Sequence, residues 1–518
     1  MERLRKLATG GLTAVTIAAM TTRPAVSAST CESLSGLSMT GVSITLAATV
    51  AAGEFSRVIT GGGAAEQGFS NTVPFCRIAA TLRPTSDSDI KVEIWLPVAG
   101  WNGKFQAVGN GGWGGTLSYP AMNEALNSGY ATSSTDTGHA GSPVAAGAAT
   151  FAFGHQEKLI DYAYRSEHLM AITGKAIVEA YFGEAPKRSY FNGCSTGGRQ
   201  ALMEAQRYPG DFDGIIAGAA ANPKTHLDAW RISIAQAMFK DEATVIPPAK
   251  FPMIHQAVLG ACDAIDGVKD GLISDPTRCR FDPNTIKCDG ADAPSCLTAP
   301  QVATAAILMS PIHDRNTGAE VFPGFEAGTE LGWAEMLRGP APLEMAVDQY
   351  KYIIFKDANW DWRTFNLERD VTFADTAAAG TLSAISPDLT AYAARGGKLL
   401  MYHGWSDQAI APRASVNYYQ SALAATRPGA GDAPWVRLFM VPGMGHCRGG
   451  EGPNTFDMVG ALDRWVETGA APERIVATHQ TGGTIDRTRP LCPYPQTARY
   501  SGTGSTDDAA SFVCRAPE

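Results

Sequence analysis

The chain has 518 residues, 45% of them hydrophobic and 18% charged, with 42 basic against 51 acidic side chains. This balance excludes a disordered chain, a collagen and a coiled coil, and a net charge of −9 lacks the clustered lysine and arginine a nucleic-acid partner demands. The length suits a catalytic domain carrying a large insertion, and an even count of ten cysteines points to disulfides or metal sites.

In chain order, Arg3, Arg5 and Lys6 precede a mostly apolar run over residues 7–20, and Val26, Ser27 and Ala28 offer a signal peptidase small residues. An export signal over residues 1–28 is expected. Its rival, a retained amphipathic helix, is disfavoured by Gly10, Gly11 and the threonines. No later stretch is apolar over the roughly 18 residues a membrane span needs. The mature chain is therefore expected to be secreted or periplasmic, with no membrane span.

Short β-branched and aromatic runs at 91–97, 104–108, 130–133, 189–192, 214–217, 398–402 and 436–441 alternate with helical patterns. They predict an α/β protein with a largely parallel sheet. Over residues 222–385 the texture changes: Pro247, Pro248, Pro252, Pro276, Pro283 and Pro294, four close cysteines, and Trp230, Trp333, Trp360 and Trp362. This segment reads as an inserted domain, dividing the core into 29–221 and 386–518.

The run 189–192 leads into Gly193-Cys194-Ser195-Thr196-Gly197 and then a helical pattern from Arg199. Strand, G-x-S-x-G and helix together form a nucleophile elbow, in which small neighbours let the turn close and lift the Ser195 hydroxyl into the open. The backbone N–H of Thr196 can then face a developing oxyanion. A second donor is expected from the glycine-rich stretch Gly109 to Gly115, with Gly112 as the choice. A dinucleotide loop is the sharper alternative there, but G-x-G-x-x-G and a following helix are both missing. The order serine, acid, histidine selects Asp407, after the 398–402 run, and His446, after the 436–441 run. His403 precedes Asp407 and is read either as pocket wall or as a satisfied structural histidine; His139 is read as mainly structural.

Cys194 adjoins the nucleophile and Cys447 the base, so a hydrogen-bonded Ser195 and His446 would bring the two cysteines within disulfide reach. A reactive Cys194 is the rival. Cys262, Cys279, Cys288 and Cys296 lack zinc-type spacing and read as local disulfides 262–279 and 288–296. Asp263, Asp266 and Asp270 crowd one glycine-rich turn, which suits calcium or a plain acidic surface turn.

These motifs resemble the tannase and feruloyl esterase family of secreted serine esterases. Gly193-Cys194-Ser195, Ser406-Asp407 and His446-Cys447 match its Cys-Ser, Asp and His-Cys pattern over most of the mature chain. The resemblance implies an α/β-hydrolase fold with a large inserted lid domain, a Ser195, Asp407 and His446 triad, and a Cys194–Cys447 bridge. It also implies bridges 31–76 (Cys31, Cys76) and 492–514 (Cys492, Cys514). A structural calcium in the lid would be held by Asp263, Asp266, Asp270 and the carbonyls of Val268 and Leu272, with no organic cofactor.

The C-terminal stretch 487–495 resembles a family member acting on a terephthalate monoester. That member's carboxylate-gripping arginine has no counterpart over 340–348, however, and Ile410 replaces its phenylalanine. The expected substrate is a small aromatic ester of hydroxycinnamoyl, feruloyl type, including esters carried on plant cell-wall polysaccharide. Gallate and terephthalate monoesters are the alternatives, with lid aromatics such as Trp333 facing the acyl ring or filling the lid core. A phenolic- or polysaccharide-binding protein on an esterase scaffold is the non-enzymatic rival, and a peptidase the further enzymatic one.

Overall fold

The computed structural model describes residues 29–59, 67–337, 339–427 and 434–517. The expected export segment 1–28 lies outside the described residues. The central sheet holds nine strands: β1 (Val42–Val50), β2 (Phe75–Leu82), β3 (Ile90–Pro97), β4 (Lys104–Val108), β5 (Ala131–Thr135), β6 (Arg188–Cys194), β7 (Gly214–Gly218), β8 (Lys398–Gly404) and β9 (Val436–Val441). They lie in the order β1-β2-β3-β5-β4-β6-β7-β8-β9.

From β5 to β9 every neighbour is parallel, whereas β1, β2, β3 and β5 pair antiparallel. The sheet is thus mixed: the expected parallel sheet is its C-terminal six strands. The expected runs all fall in β3 to β9. β1 and β2 were not anticipated because alanine, threonine and serine dilute their β-type residues.

Helices α1 (Tyr119–Asn127), α2 (Ser166–Phe182) and α3 (Thr196–Arg207) follow β4, β5 and β6. Between β7 and β8 the chain leaves the sheet and builds α4 (Lys224–Met238), α5 (Phe251–Cys262), α6 (Ala299–Leu308) and α7 (Leu367–Ala374), before α8 (Arg413–Ala425) and α9 (Met458–Thr468) return to the sheet. Alternation along the parallel strands sends side chains to both faces. Ile215, Leu399 and Met401 pack with α2, α3 and α8, while Ile216 and Leu400 pack with α1 and α9. A parallel sheet covered on both faces, with its nucleophile turn between β6 and α3, is the α/β-hydrolase arrangement.

The inserted segment begins and ends at one point: Asn222 and Ala384 are joined by a backbone hydrogen bond of 2.9 Å. Its interior is continuous with the sheet domain. Trp230, Phe251, Phe325 and Trp333 share a core with Ile410 and Ala414, and Ile232, Tyr350 and Phe365 share another with Trp113 and Tyr162. Bridges Cys262–Cys279 and Cys288–Cys296 staple this segment, Cys31–Cys76 ties the N-terminal turn to β2, and Cys492–Cys514 closes the C-terminal strands. No helix among the described residues is long and apolar enough to cross a membrane.

Candidate active site

Ser195 sits between the last residue of β6 and the first of α3, at φ 64° and ψ −121°. A non-glycine residue in that region costs on the order of 1–3 kcal/mol and persists only where its surroundings fix it. Here the Ser195 N–H donates to the Gly218 carbonyl, and its own carbonyl accepts from Ala221, each at 3.0 Å. Close passage requires glycine beside it: a Cβ on Gly198 would stand 2.3 Å from the Gly218 oxygen.

Gly112 has φ 51°, and a Cβ there would lie 2.3 Å from the Pro143 carbonyl oxygen. Its carbonyl accepts from the Thr196 hydroxyl at 2.6 Å and from the Tyr162 hydroxyl at 3.2 Å, which fixes the glycine loop against α3. The next N–H, that of Trp113, is used by Pro143 at 2.9 Å. Among the described residues the N–H groups of Gly112 and Thr196 have no acceptor, the condition an oxyanion hole requires. Thr196 was legible as the residue after the nucleophile. Tyr162 was not, because it lies in the π-helical turn Asp161–Arg165, whose register departs from the 3.6-residue period a sequence pattern follows.

Asp407 follows β8 and is fully buried. Its Oδ1 accepts from the N–H groups of Ala409 at 2.7 Å and Ile410 at 2.9 Å, and its Oδ2 meets His446 Nδ1 at 2.7 Å and His403 Nε2 at 3.0 Å. Burial pushes this carboxyl upward, but the charge of His446 and the hydrogen bonds from both histidines outweigh it and hold the group well below the usual carboxylate range. His446 lies on the loop after β9. Backbone bonds from Ser406 to Met444 at 3.0 Å and from Trp405 to Val441 at 2.8 Å lock this loop to the Asp407 loop. Cys194 and Cys447 are bridged with Cα atoms 6.0 Å apart, so Ser195 and His446 each stand one residue from the same covalent link. Bonded in this way, Cys194 is no free nucleophile.

The three residues expected at a substrate pocket lie in the interior instead. His403 is fully buried behind Asp407, with Nδ1 2.8 Å from the Ser415 hydroxyl, so it backs the acid and forms no pocket wall. Ile410 faces the apolar core shared with the insertion. Trp333 is fully buried among Phe251 and Phe325, its indole N–H donating to Thr329 at 3.0 Å, and presents no face to a ligand. His139 stacks on Phe151 at 3.6 Å, and burial pushes its imidazole down to about 4.

In the acidic turn, Asp263 accepts from the N–H groups of Asp270 at 3.2 Å and Gly271 at 3.1 Å, and Asp266 from Val268 at 3.0 Å. Asp270 takes the Leu272 N–H at 3.2 Å, while its other oxygen pairs with Arg489 at 2.5 Å. Among the described residues no three acidic, histidine or cysteine side chains converge as a metal-binding group. The buried carbonyls of Val268 and Leu272 nevertheless accept no hydrogen bond among the described residues. Orphaned carbonyls beside three carboxylates of one turn are the hard-oxygen donors calcium takes, so the donor set fits that ion in kind.

The family model described as tannase and feruloyl esterase matches residues 76–515. An uncharacterized esterase of Xanthomonas campestris pv. campestris is 38% identical, over 99% of this chain and 96% of that protein. The crystal structure of feruloyl esterase B from Aspergillus oryzae superposes with a TM-score of 0.86 at 31% identity, covering 94% of this chain and 99% of that one. The tannin acyl hydrolase of Aspergillus niger, at 22% identity, 92% coverage of each chain and a TM-score of 0.74, shares the fold.

Proposed function

Because the chain belongs to the tannase and feruloyl esterase family and is a carboxylic ester hydrolase, we propose that it is an exported enzyme that cleaves hydroxycinnamoyl, feruloyl-type esters through an acyl-enzyme on Ser195. One observation carries the chemistry: a serine held in the strained turn after β6 is tied by one disulfide to a histidine whose Nδ1 rests 2.7 Å from a fully buried carboxylate. His446 removes the serine proton as Ser195 attacks the ester carbonyl. The N–H groups of Gly112 and Thr196 receive the oxyanion, and the alcohol leaves on taking the proton back from His446. Water then repeats the sequence on the acyl-enzyme. Asp407, anionic throughout, keeps the imidazole oriented and offsets its transient charge.

The feruloyl choice is supported by the likeness to feruloyl esterase B, which exceeds that to the tannin acyl hydrolase in both identity and TM-score. Export is supported by the five disulfides. Polysaccharide-borne esters belong to the same proposal, with the insertion acting as a lid. Asp263, Asp266 and Asp270, with the carbonyls of Val268 and Leu272, would hold a structural calcium in that lid. Bound there, calcium would draw the turn's oxygens together and supply no step of acyl transfer.

The test is kcat/KM on methyl ferulate, methyl gallate and a terephthalate monoester, for the parent and for Ser195→Ala. Methyl ferulate is expected to be the best substrate, and the variant to lose at least about 10³-fold in kcat. Undiminished turnover by Ser195→Ala would sink the acyl-enzyme, and preference for gallate would sink the substrate choice.

A further inference from the structure

Helix α4 opens the insertion with three charged side chains on one face, Lys224, Asp228 and Arg231, spaced by four and three residues. All three are buried: the side chains are 2%, 0% and 7% exposed. Asp228 is the hub. Its Oδ2 takes the Lys224 ammonium in a short contact, and its Oδ1 accepts from Arg231 Nη1 at 2.9 Å.

Each cation then reaches out of the helix to a different part of the site. The Lys224 ammonium lies over the Trp113 ring, 4.4 Å from its centroid, and Trp113 immediately follows the oxyanion donor Gly112. Arg231 Nη2 donates to the Ala409 carbonyl at 2.8 Å, while the N–H of that same residue supports Asp407 Oδ1 at 2.7 Å. Met345, also in the insertion, closes the circuit: its carbonyl accepts the Trp113 indole N–H at 3.2 Å, and its sulfur lies 3.4 Å from Arg231 Nη1.

We infer that Lys224, Asp228 and Arg231 are positioning residues for ester hydrolysis, holding the oxyanion loop and the Asp407 loop in register through one buried ionic chain carried by the insertion. The inference rests on the ester-hydrolase reading above. Stability alone is a poor reason for such a cluster, because desolvating three charges costs several kcal/mol per ion and well-packed apolar side chains of the same volume serve as well or better. A buried charged cluster does fix geometry: each link has a defined direction, and both oxygens of Asp228 are committed. Its two cations against one anion also leave a net positive charge beside the loop where the substrate oxygen becomes negative. Burial pushes Lys224 down to about 8. Asp228 opposes that fall, while Arg231 from its own helix and Arg199 from α3 add to it.

The test avoids Asp228→Asn, which strands two buried cations and is expected to unfold. Lys224→Met and Arg231→Met each leave a one-to-one ion pair, so folding survives and thermal melts check it. The assay substrate is whichever of the three esters the parent turns over fastest. Lys224→Met is expected to lower kcat about 10- to 100-fold with KM within about twofold, since the displaced donor acts on the transition state more than on the bound ester. Lys224→Arg should recover most of that loss. Arg231→Met should lower kcat and also move the acid limb of kcat/KM to higher pH, because an Asp407 with a weaker Oδ1 donor favours a protonated His446.

Folded variants with the parent's kcat, losses confined to KM, or a methionine variant as active as the arginine variant would each overturn the inference. A parent that turns over no ester defeats the underlying reading instead, so the two failures are distinguishable.

Discussion

Asp407 accepts four hydrogen bonds, two on each oxygen, and one of them comes from a second histidine. His403 keeps the carboxylate from rotating and spreads its charge, while its own Nδ1 is occupied by Ser415. His403→Phe keeps the volume and removes that donor. It is expected to lower kcat about tenfold or more with little change in KM, and to cost about 1–3 kcal/mol in a denaturant melt for the buried groups left unpaired. Parent-like kcat in a folded variant would reduce His403 to packing. The residues of the candidate triad were legible because each carries a local signature: a turn of small residues around Ser195, and a strand end before Asp407 and before His446. The support behind them was not. His403 lies only four residues before Asp407, and nothing in that spacing shows which way a strand-end side chain turns, while Trp333 and Ile410 reveal their burial only once distant segments pack.

At the scale of elements, the insertion grips the His446 loop directly. His255 on α5 sits between Glu330, also in the insertion, at 2.8 Å, and Glu451, five residues beyond His446, at 3.0 Å. Burial works against the imidazolium, but hydrogen bonds to the two carboxylates overcome it and raise His255 to about 9 from an ordinary 6.5. A folded pKa above the unfolded one gives stability that is fully present below pH 6.5 and is lost as pH climbs through 9. The parent's Tm should therefore fall between pH 6.5 and 9, and His255→Gln should flatten that segment; equal slopes for the two proteins would remove the latch. The strands most easily read from sequence were those buried on both faces, whose β-branched runs are short and nearly continuous. β1 and β2, at one side of the sheet, show more alanine and threonine and less contrast.

For the molecule as a whole, composition marked the insertion, since prolines, cysteines and tryptophans gather there, but could not show that its cores run on into the sheet domain. The acidic turn closes a part of this larger body: Asp270 reaches Arg489 on the C-terminal strand Thr484–Leu491, so ligation at the turn should be felt by the whole unfolding transition. Protein dialysed against a chelator is expected to gain several degrees in Tm on adding calcium, and Asp266→Asn to lose the response. An unchanged melt in the parent would dispose of the calcium site.

The Cys194–Cys447 bridge has a consequence in time as well as in space. Four of the bridges join cysteines at most 45 residues apart, but Cys194 must wait for a partner that emerges 253 residues later. Serine and histidine are therefore linked only after the entire insertion has been made. On the mechanism proposed above, the chain turns over no ester before that point, since Ser195 is made long before its base.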